Sequence, residues 1–421
     1  MITGVGSGIR LGRDTIIADY AWFREVPPTG CNHWPVSPTT PRGQFPRTVE
    51  SVANELSEVA NDTNREQTDP QRYISPLLGR DGAAEAQDDA AVAGTEGVAW
   101  HYGSPLVEQR IFETGTGLID RSNRKVIRVD GPDAPAFLNN ILSQKVDAAE
   151  DGFTARALDL DAQGRIQHTM MVTVVDGVFY LDTSAAEFDS LIAYLQKMIF
   201  WSEVTVEEAD LAIITLIGGE IPLPDVVFRR TVDWNGPTRI DVAVPRGSFE
   251  SSVDKLLAAG ARLTGLMAYW AERVKALEPE GPDLDAKTIP HEIPHWIGRD
   301  EHLGAVHLTK GCYRGQETVA RVDNLGRSPR VMVLLHLDGS APVAPAVGAE
   351  ITSGTRTVGR LGTVIHDCDL GPIALALVKR SALDSDLTVG DVAVTVDPDS
   401  LPVDDGEQRG RAAVNKLRGR D

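Results

Sequence analysis

Downstream of Arg330 the chain changes character. It reads VMVLLHL, AEITSG, TVGRLGTVIH, IALALV and VAVTV, short apolar runs split by Gly- and Asp-containing turns, with no helical stretch between them. Strands that short, following one another without a crossover helix, close most readily into a small β-barrel. A barrel domain is therefore predicted over 331–398, followed by a polar tail over 399–421 that carries five basic residues from Arg409 to Arg420 and reads as solvated disorder.

Upstream, strands and helices alternate. KVIRV is strand-like, Asp130–Pro132 turns, and a helix starts near Pro135, where a missing N–H does no harm in a first turn. FTARALDLDAQGRIQHTMMVTVVDGVFYLDT reads as three strands with hairpin turns at Asp161–Gly164 and Asp176–Gly177. Phe188, Leu191, Ile192, Leu195 and Ile199 form one helical face. Strands are predicted at 204–207, 211–217 and 239–244, and helices at about 248–259 and 266–277. The pattern is α+β and not a regular βαβ array, and no G-x-G-x-x-G follows a strand and opens a helix. Residues 1–97 differ again. Six prolines from Pro27 to Pro46 crowd a coil, Val49, Val52, Leu56 and Val59 space one short amphipathic helix, and 79–97 reads as an Ala-, Gly- and acid-rich linker. This extension is expected to be largely disordered and to supply nothing to a binding pocket.

A net charge of −20 argues against a general nucleic-acid binder, which needs clustered Lys and Arg. Cys31, Cys312 and Cys368 are odd in number and far apart, matching neither a disulfide framework nor a metal-ligand spacing. His291, His295, His302 and His307 lie close together, but Pro290 and Pro294 break the helix that would align them, so no metal is expected. No run approaches the ~18 apolar residues of a membrane span, and MITGVGSGIRLGRD lacks the order of a signal peptide. The expected location is cytoplasmic, with no membrane partner.

The stretch from Lys310 to Arg321, KGCYRGQETVAR, is the most informative. Core packing would not select that mixture of one thiol, two glycines, an aromatic and charges. If it is extended, Lys310, Cys312, Arg314 and Gln316 share one face, and flanking cations would favour the Cys312 thiolate. The competing reading is a small buried thiol in a basic turn, and a Cys–His hydrolase would need a histidine such as His307 within reach.

KGCYRGQE resembles the signature of the YgfZ family of folate-binding proteins, which are related to the glycine-cleavage aminomethyltransferases. GLIDRSNRKVIRVDGPDAPAFLNN, LDAQGRI and PDLDAKTIPHEI resemble further blocks of that family, so the resemblance runs over roughly residues 100–398. It implies an α+β, aminomethyltransferase-like folate-binding fold over 98–330, built around a central pocket and capped by the small C-terminal β-barrel. It also implies tetrahydrofolate or another reduced folate as cofactor, support of iron–sulfur cluster assembly or repair with secondary effects on tRNA thiolation, and iron–sulfur proteins or assembly factors as partners. Cys312 and Lys310 would carry the chemistry. The alternatives are a folate-dependent aminomethyltransferase and a non-catalytic folate-binding regulator.

A folate site needs a carboxylate for the pterin amino edge, Arg or Lys for the glutamyl tail and an aromatic or apolar wall. Glu317 is the candidate for the amino edge and Arg321, Arg327 and Arg330 for the tail, with Tyr313 or Trp270 as wall and Gln316 beside them. Arg273, in AERVKALEP, matches an arginine placed beside the folate in the aminomethyltransferases, although Lys275 and Leu277 stand where glutamate and glycine are usual. The strand GRIQHTMMV holds His168 and Thr169 where those enzymes carry paired aspartates. His168 could still exchange protons near neutrality, but loss of both carboxylates argues against glycine-cleavage chemistry.

Overall fold

The computed structural model describes residues 72–87, 94–298, 302–341 and 343–402. The predicted helix near 49–61 and most of the polar tail lie outside these residues. Two five-stranded sheets form the body. One runs in the spatial order Phe228–Val232, Arg239–Pro245, Leu211–Gly218, Thr116–Asp120 and Ala261–Thr264, with only the last pair parallel. The other, wholly antiparallel, runs Thr154–Leu160, Ile166–Val175, Val178–Thr183, Lys125–Asp130 and Thr205–Ala209. Each sheet buries one face under helices. Met170, Val172 and Val174 pack beneath Ala134–Ile141 and Ala185–Lys197, and Leu118, Ile214 and Val242 beneath Phe249–Ala258.

The predicted turns are present. Asp176 and Gly177 both take positive φ, 51° and 78°, the left-handed pair that a two-residue hairpin turn requires. The third sheet-like region is a closed barrel of six strands, Arg330–Leu337, Gly371–Lys379, Arg356–Asp367, Glu350–Ser353, Leu387–Val389 and Val392–Val396. Only three residues long, Leu387–Val389 gives too little alternation to be read from sequence.

Order begins earlier than Val98. Leu77 is fully buried with Leu118 and Leu216, Ala83–Ala84 pairs with His101–Tyr102, and Ser75 N–H donates to Gly97 O at 2.7 Å. Ser75 Oγ donates to Asp120 and Tyr73 O–H to Ser122 Oγ. A four-residue 3-10 turn, Pro76–Gly79, carries no periodicity that would have marked this segment as packed.

The two sheets meet through a buried chain of charges. Arg230 bridges Asp182 of one sheet and Asp241 of the other, all three side chains about 1% exposed. Asp182 also holds Arg124 at 2.8 Å, and Asp241 holds Arg239 at 2.9 Å. Burial pushes both carboxyls up, but the arginines outweigh it and hold them below the ordinary range.

Candidate functional site

Between the sheets lies a cavity of about 680 Å³. Arg121, Arg124, Arg156 and Arg239 line it, with Thr169, Met170, Met171, Glu187 and Glu280. Pro279 and Pro282 add apolar surface from a loop, and Ala346 and Val347 from the barrel domain. Gly94 also lines it, and its carbonyl accepts Asn123 Nδ2 at 2.8 Å, so the segment before Val98 is part of the cavity wall. That corrects the expectation of an extension without pocket residues.

Arg121 follows directly from how its strand ends. Strand Thr116–Asp120 finishes at a buried aspartate whose carboxylate accepts the Ser122 N–H at 2.9 Å, which turns the chain and directs Arg121 inward. Its side chain is 4% exposed. Nη2 donates to Glu280 Oε1 at 2.9 Å, and the guanidinium lies 4.2 Å over the Tyr269 ring. Nη1 is buried and has no hydrogen-bond partner among the described residues. An unpartnered buried donor of this kind costs free energy unless something accepts from it.

Glu280 also accepts the Tyr269 hydroxyl at 2.8 Å. Burial raises its pKa, but Arg121, Arg273 and Arg124 outweigh that and keep it ionised well below the usual carboxylate range. Glu278, which pairs with Arg156 at 2.7 Å, is raised by burial and lowered more by Arg156 and His295, to about 2. The cavity is thus ringed by arginines that are individually neutralised yet still directional.

Of the residues singled out in the sequence, Thr169 lines this cavity, and none of the candidate catalytic or folate-binding residues does. Lys310 to Gly315 is a turn, not a strand, and Gln316–Leu325 is a helix, so the expected single face does not form. The reason is Gly315, whose φ is +84°. A Cβ there would come within 2.6 Å of Asp161 O and 3.0 Å of Gly164 Cα. The motif is pressed against the Asp161–Gly164 turn, which no side chain at Gly315 would permit.

Lys310 Nζ donates to the carbonyls of Asn139, Leu142 and Gln144. Burial lowers its pKa to about 8, which leaves the ammonium largely protonated at neutral pH. Arg314 is tied to Leu160 O and Asp159. Both cations are therefore committed to the protein, and Cys312 stands exposed between them. Tyr313 is in the core, its phenol pushed up to about 12 by burial. Gln316 Oε1 accepts the Tyr313 N–H. Glu317, Arg321 and Arg327 are exposed, and Arg330 is clamped by Asp285 and Glu292.

Arg273 is fully buried. It binds Asp283 at 2.7 Å and the Thr363 hydroxyl at 2.6 Å, and stacks on Trp270. Lys275 pairs with Asp367 at 3.0 Å. Thr363 and Asp367 belong to the barrel strand Arg356–Asp367, so the helix Leu266–Lys275 docks the barrel. Leu277, at the position where glycine is usual, takes φ 58°, the left-handed conformation for which glycine is suited. Trp270 is likewise core, edge-on to Trp100.

His168 and Thr169 fall on opposite faces of their strand. His168 Nδ1 is 2.8 Å from Asp159, and Nε2 2.9 Å from Ser190 Oγ, on the helix-covered face. Thr169 faces the cavity. Sequence reading missed Arg121, Arg156, Glu187 and Arg239 because each is an unremarkable charge locally. Only Arg121 carried a signal, as part of the Asp-Arg-Ser block.

Comparison with known proteins agrees with this architecture. Residues 330–403 match the family described as CAF17, C-terminal beta-barrel domain. The chain is 25% identical to the tRNA-modifying protein YgfZ of Cronobacter sakazakii over 65% of its own length and 86% of the relative's. It is also 25% identical to an aminomethyltransferase of Stenotrophomonas maltophilia, over 66% and 88%. The crystal structure of glycine cleavage system aminomethyltransferase T from Bartonella henselae superposes with a TM-score of 0.65 at 19% identity, covering 79% of this chain and 97% of that one. The α+β body is aminomethyltransferase-like, and the barrel is of the CAF17 kind.

Proposed function

We propose that this chain, of the YgfZ type by sequence and aminomethyltransferase-like by fold, binds a reduced folate in the inter-sheet cavity and supports the maintenance of iron–sulfur enzymes. The observation that carries the binding half is Arg121, which lines a cavity of drug-like volume and whose buried Nη1 has no hydrogen-bond partner among the described residues. The residues present fit the group. Met171, Pro279 and Pro282 offer apolar surface to a flat ring, and Arg121 offers a donor to a ring carbonyl or a glutamyl carboxylate. A bound reduced folate would supply a carrier for a one-carbon unit. The protein's own part is to hold and orient it and to keep water from one face.

Aminomethyl transfer is not part of this reading. Toward the cavity, the strand that carries aspartates in the transferases presents Met171 and the Thr169 hydroxyl, and a hydroxyl cannot serve unaided as a general base near neutrality. Cys312 is assigned to the iron–sulfur half, on its exposure at the surface and its place in the family-like motif. A folate-binding regulator without thiol chemistry is distinguished from this only by whether Cys312 matters.

The test is an anaerobic titration of the full chain with tetrahydrofolate, followed through tryptophan fluorescence. Trp296 is a suitable reporter because the cavity residue Arg156 lies 5.0 Å over its ring. Saturable quenching with a matching rise in Tm is expected. No saturable change, together with an unmoved Tm, would remove the folate from the reading.

A further inference from the structure

Every arginine lining the cavity has its own carboxylate: Arg121 with Glu280, Arg124 with Asp182, Arg156 with Glu278 and Arg239 with Asp241. Glu187 does not fit that pattern. It lines the same cavity, and among the described residues no cation pairs with it. Its Oε2 accepts the Thr169 hydroxyl at 3.0 Å and the Thr169 N–H at 3.4 Å, and it lies 3.0 Å from the Thr183 hydroxyl, whose single proton it shares with the Thr169 carbonyl at 2.8 Å. These threonine contacts, all on one oxygen, fix the carboxylate in place. Oε1 has no protein donor among the described residues. Glu187 also sits in the first turn of helix Ala185–Lys197, where the unpaired N–H groups of a helix start favour negative charge.

The strand position that lost its carboxylate therefore holds one indirectly. Thr169 clamps a glutamate brought in from the next helix. We propose that Glu187 recognises a hydrogen-bond donor of the ligand, its free Oε1 accepting the 2-amino N–H of an aminopyrimidinone edge such as that of a pterin ring. Oε2 is engaged by the threonine donors, so Oε1 is the oxygen that meets the ligand, in a charge-assisted hydrogen bond. The two poles then divide the work: Arg121 Nη1 meets an acceptor of the ligand, and Glu187 meets a donor. Glu317, the carboxylate read from the sequence for this role, lies exposed on another element. This assignment rests on the folate reading and names the residue that gives it selectivity.

The experiment crosses two ligands with two proteins. Tetrahydrofolate and an analogue lacking the 2-amino group are titrated against the wild-type full chain and against Glu187→Gln. Wild type should bind tetrahydrofolate about tenfold or more tighter than the analogue, since a charge-assisted hydrogen bond is lost. Glu187→Gln should lose about tenfold for tetrahydrofolate and discriminate between the two ligands by less than about threefold. Equal binding of both ligands by wild type overturns the assignment without any variant, so a poorly folded Glu187→Gln cannot shield it. Unchanged tetrahydrofolate affinity in a folded Glu187→Gln overturns it too. If wild type binds neither ligand, the folate reading itself fails and Glu187 falls with it. Binding by wild type with an indifferent glutamine variant sinks Glu187 alone.

Discussion

Replacing Arg230 by methionine would cut the charge chain that joins the two sheets at its centre. Arg230 donates to Asp241 through Nε and Nη2, to Asp182 through Nη1 and to the Thr173 hydroxyl, with its side chain about 1% exposed. Asp182 would keep Arg124 at 2.8 Å, and Asp241 would keep Arg239 at 2.9 Å and the Thr215 hydroxyl at 2.7 Å. Breaking a buried pair from one side usually costs ~3–5 kcal/mol, because a charge is left under-compensated. The surviving partners place this case at the lower end, about 3 kcal/mol. At roughly 2–4 °C per kcal/mol for a body of this size, Tm should fall by about 6–12 °C.

The acid dependence gives a second reading. In the folded wild type both carboxyls titrate below their ordinary values. Such groups contribute stability that is fully present above the unfolded carboxylate pKa of about 4 and is lost as pH falls through the lower folded value. In Arg230→Met the two folded values move back up, so the variant takes up protons first and its deficit shrinks in acid. Thermal unfolding followed by near-UV circular dichroism at pH 7 and at about pH 3.5 tests both parts. A Tm within about 2 °C of wild type at pH 7, or a deficit that stays constant into acid, would refute the argument that this chain holds the sheets together.

Arg121→Lys keeps a cation against Glu280 but has no second N–H arm; tetrahydrofolate Kd should rise about tenfold to a hundredfold, as for loss of a charged hydrogen bond of ~1.5–3 kcal/mol, and an unchanged Kd in a folded protein would count against Arg121 as a ligand contact. Leu77→Ala should destabilise by about 2–5 kcal/mol, since Leu77 is fully buried beneath the first sheet; chemical denaturation measures this, and a near-neutral effect would mean the segment before Val98 is dispensable. Cys312 should alkylate faster than Cys368 at pH 7, because burial, Asp367 and Asp369 push the Cys368 thiol up whereas Cys312 is exposed. Cys312→Ala should change stability by less than about 0.5 kcal/mol yet abolish rescue of iron–sulfur enzyme activity in cells lacking the protein; full rescue would leave the folate cavity as the whole function.

Much of the scaffold was legible because it depends on local pattern. The hairpin at Asp176–Gly177, the helix opened by Pro135 and the helical face of Phe188, Leu191 and Leu195 follow from φ preferences and from the 3.6-residue period, and they stand where they were predicted. The barrel strands after Arg330 follow from alternation, and the one that escaped notice is the shortest. Reading Lys310–Gln316 as extended failed for a nonlocal reason. Gly315 adopts its left-handed φ because the Gly164 turn lies against it, and those two glycines are about 150 residues apart in the chain.

The amino-acid sequence by itself determined the α+β body, the terminal barrel, the family likeness and the thiol-bearing motif, since all of these rest on short-range periodicity or on a contiguous run of residues; that the thiol is exposed was decided by the fold. Which charges meet was decided only by the tertiary structure. Arg273 reads like a ligand arginine and is instead the bolt between a helix and the barrel. Arg121, Arg156, Glu187 and Arg239 are ordinary charges along the chain, yet they face one cavity because two sheets are stacked with their polar faces together. The physical reason is that a charged side chain's pairing depends on what lies within a few ångströms of it in space, and strand order and sheet packing set those neighbours while spacing along the chain does not.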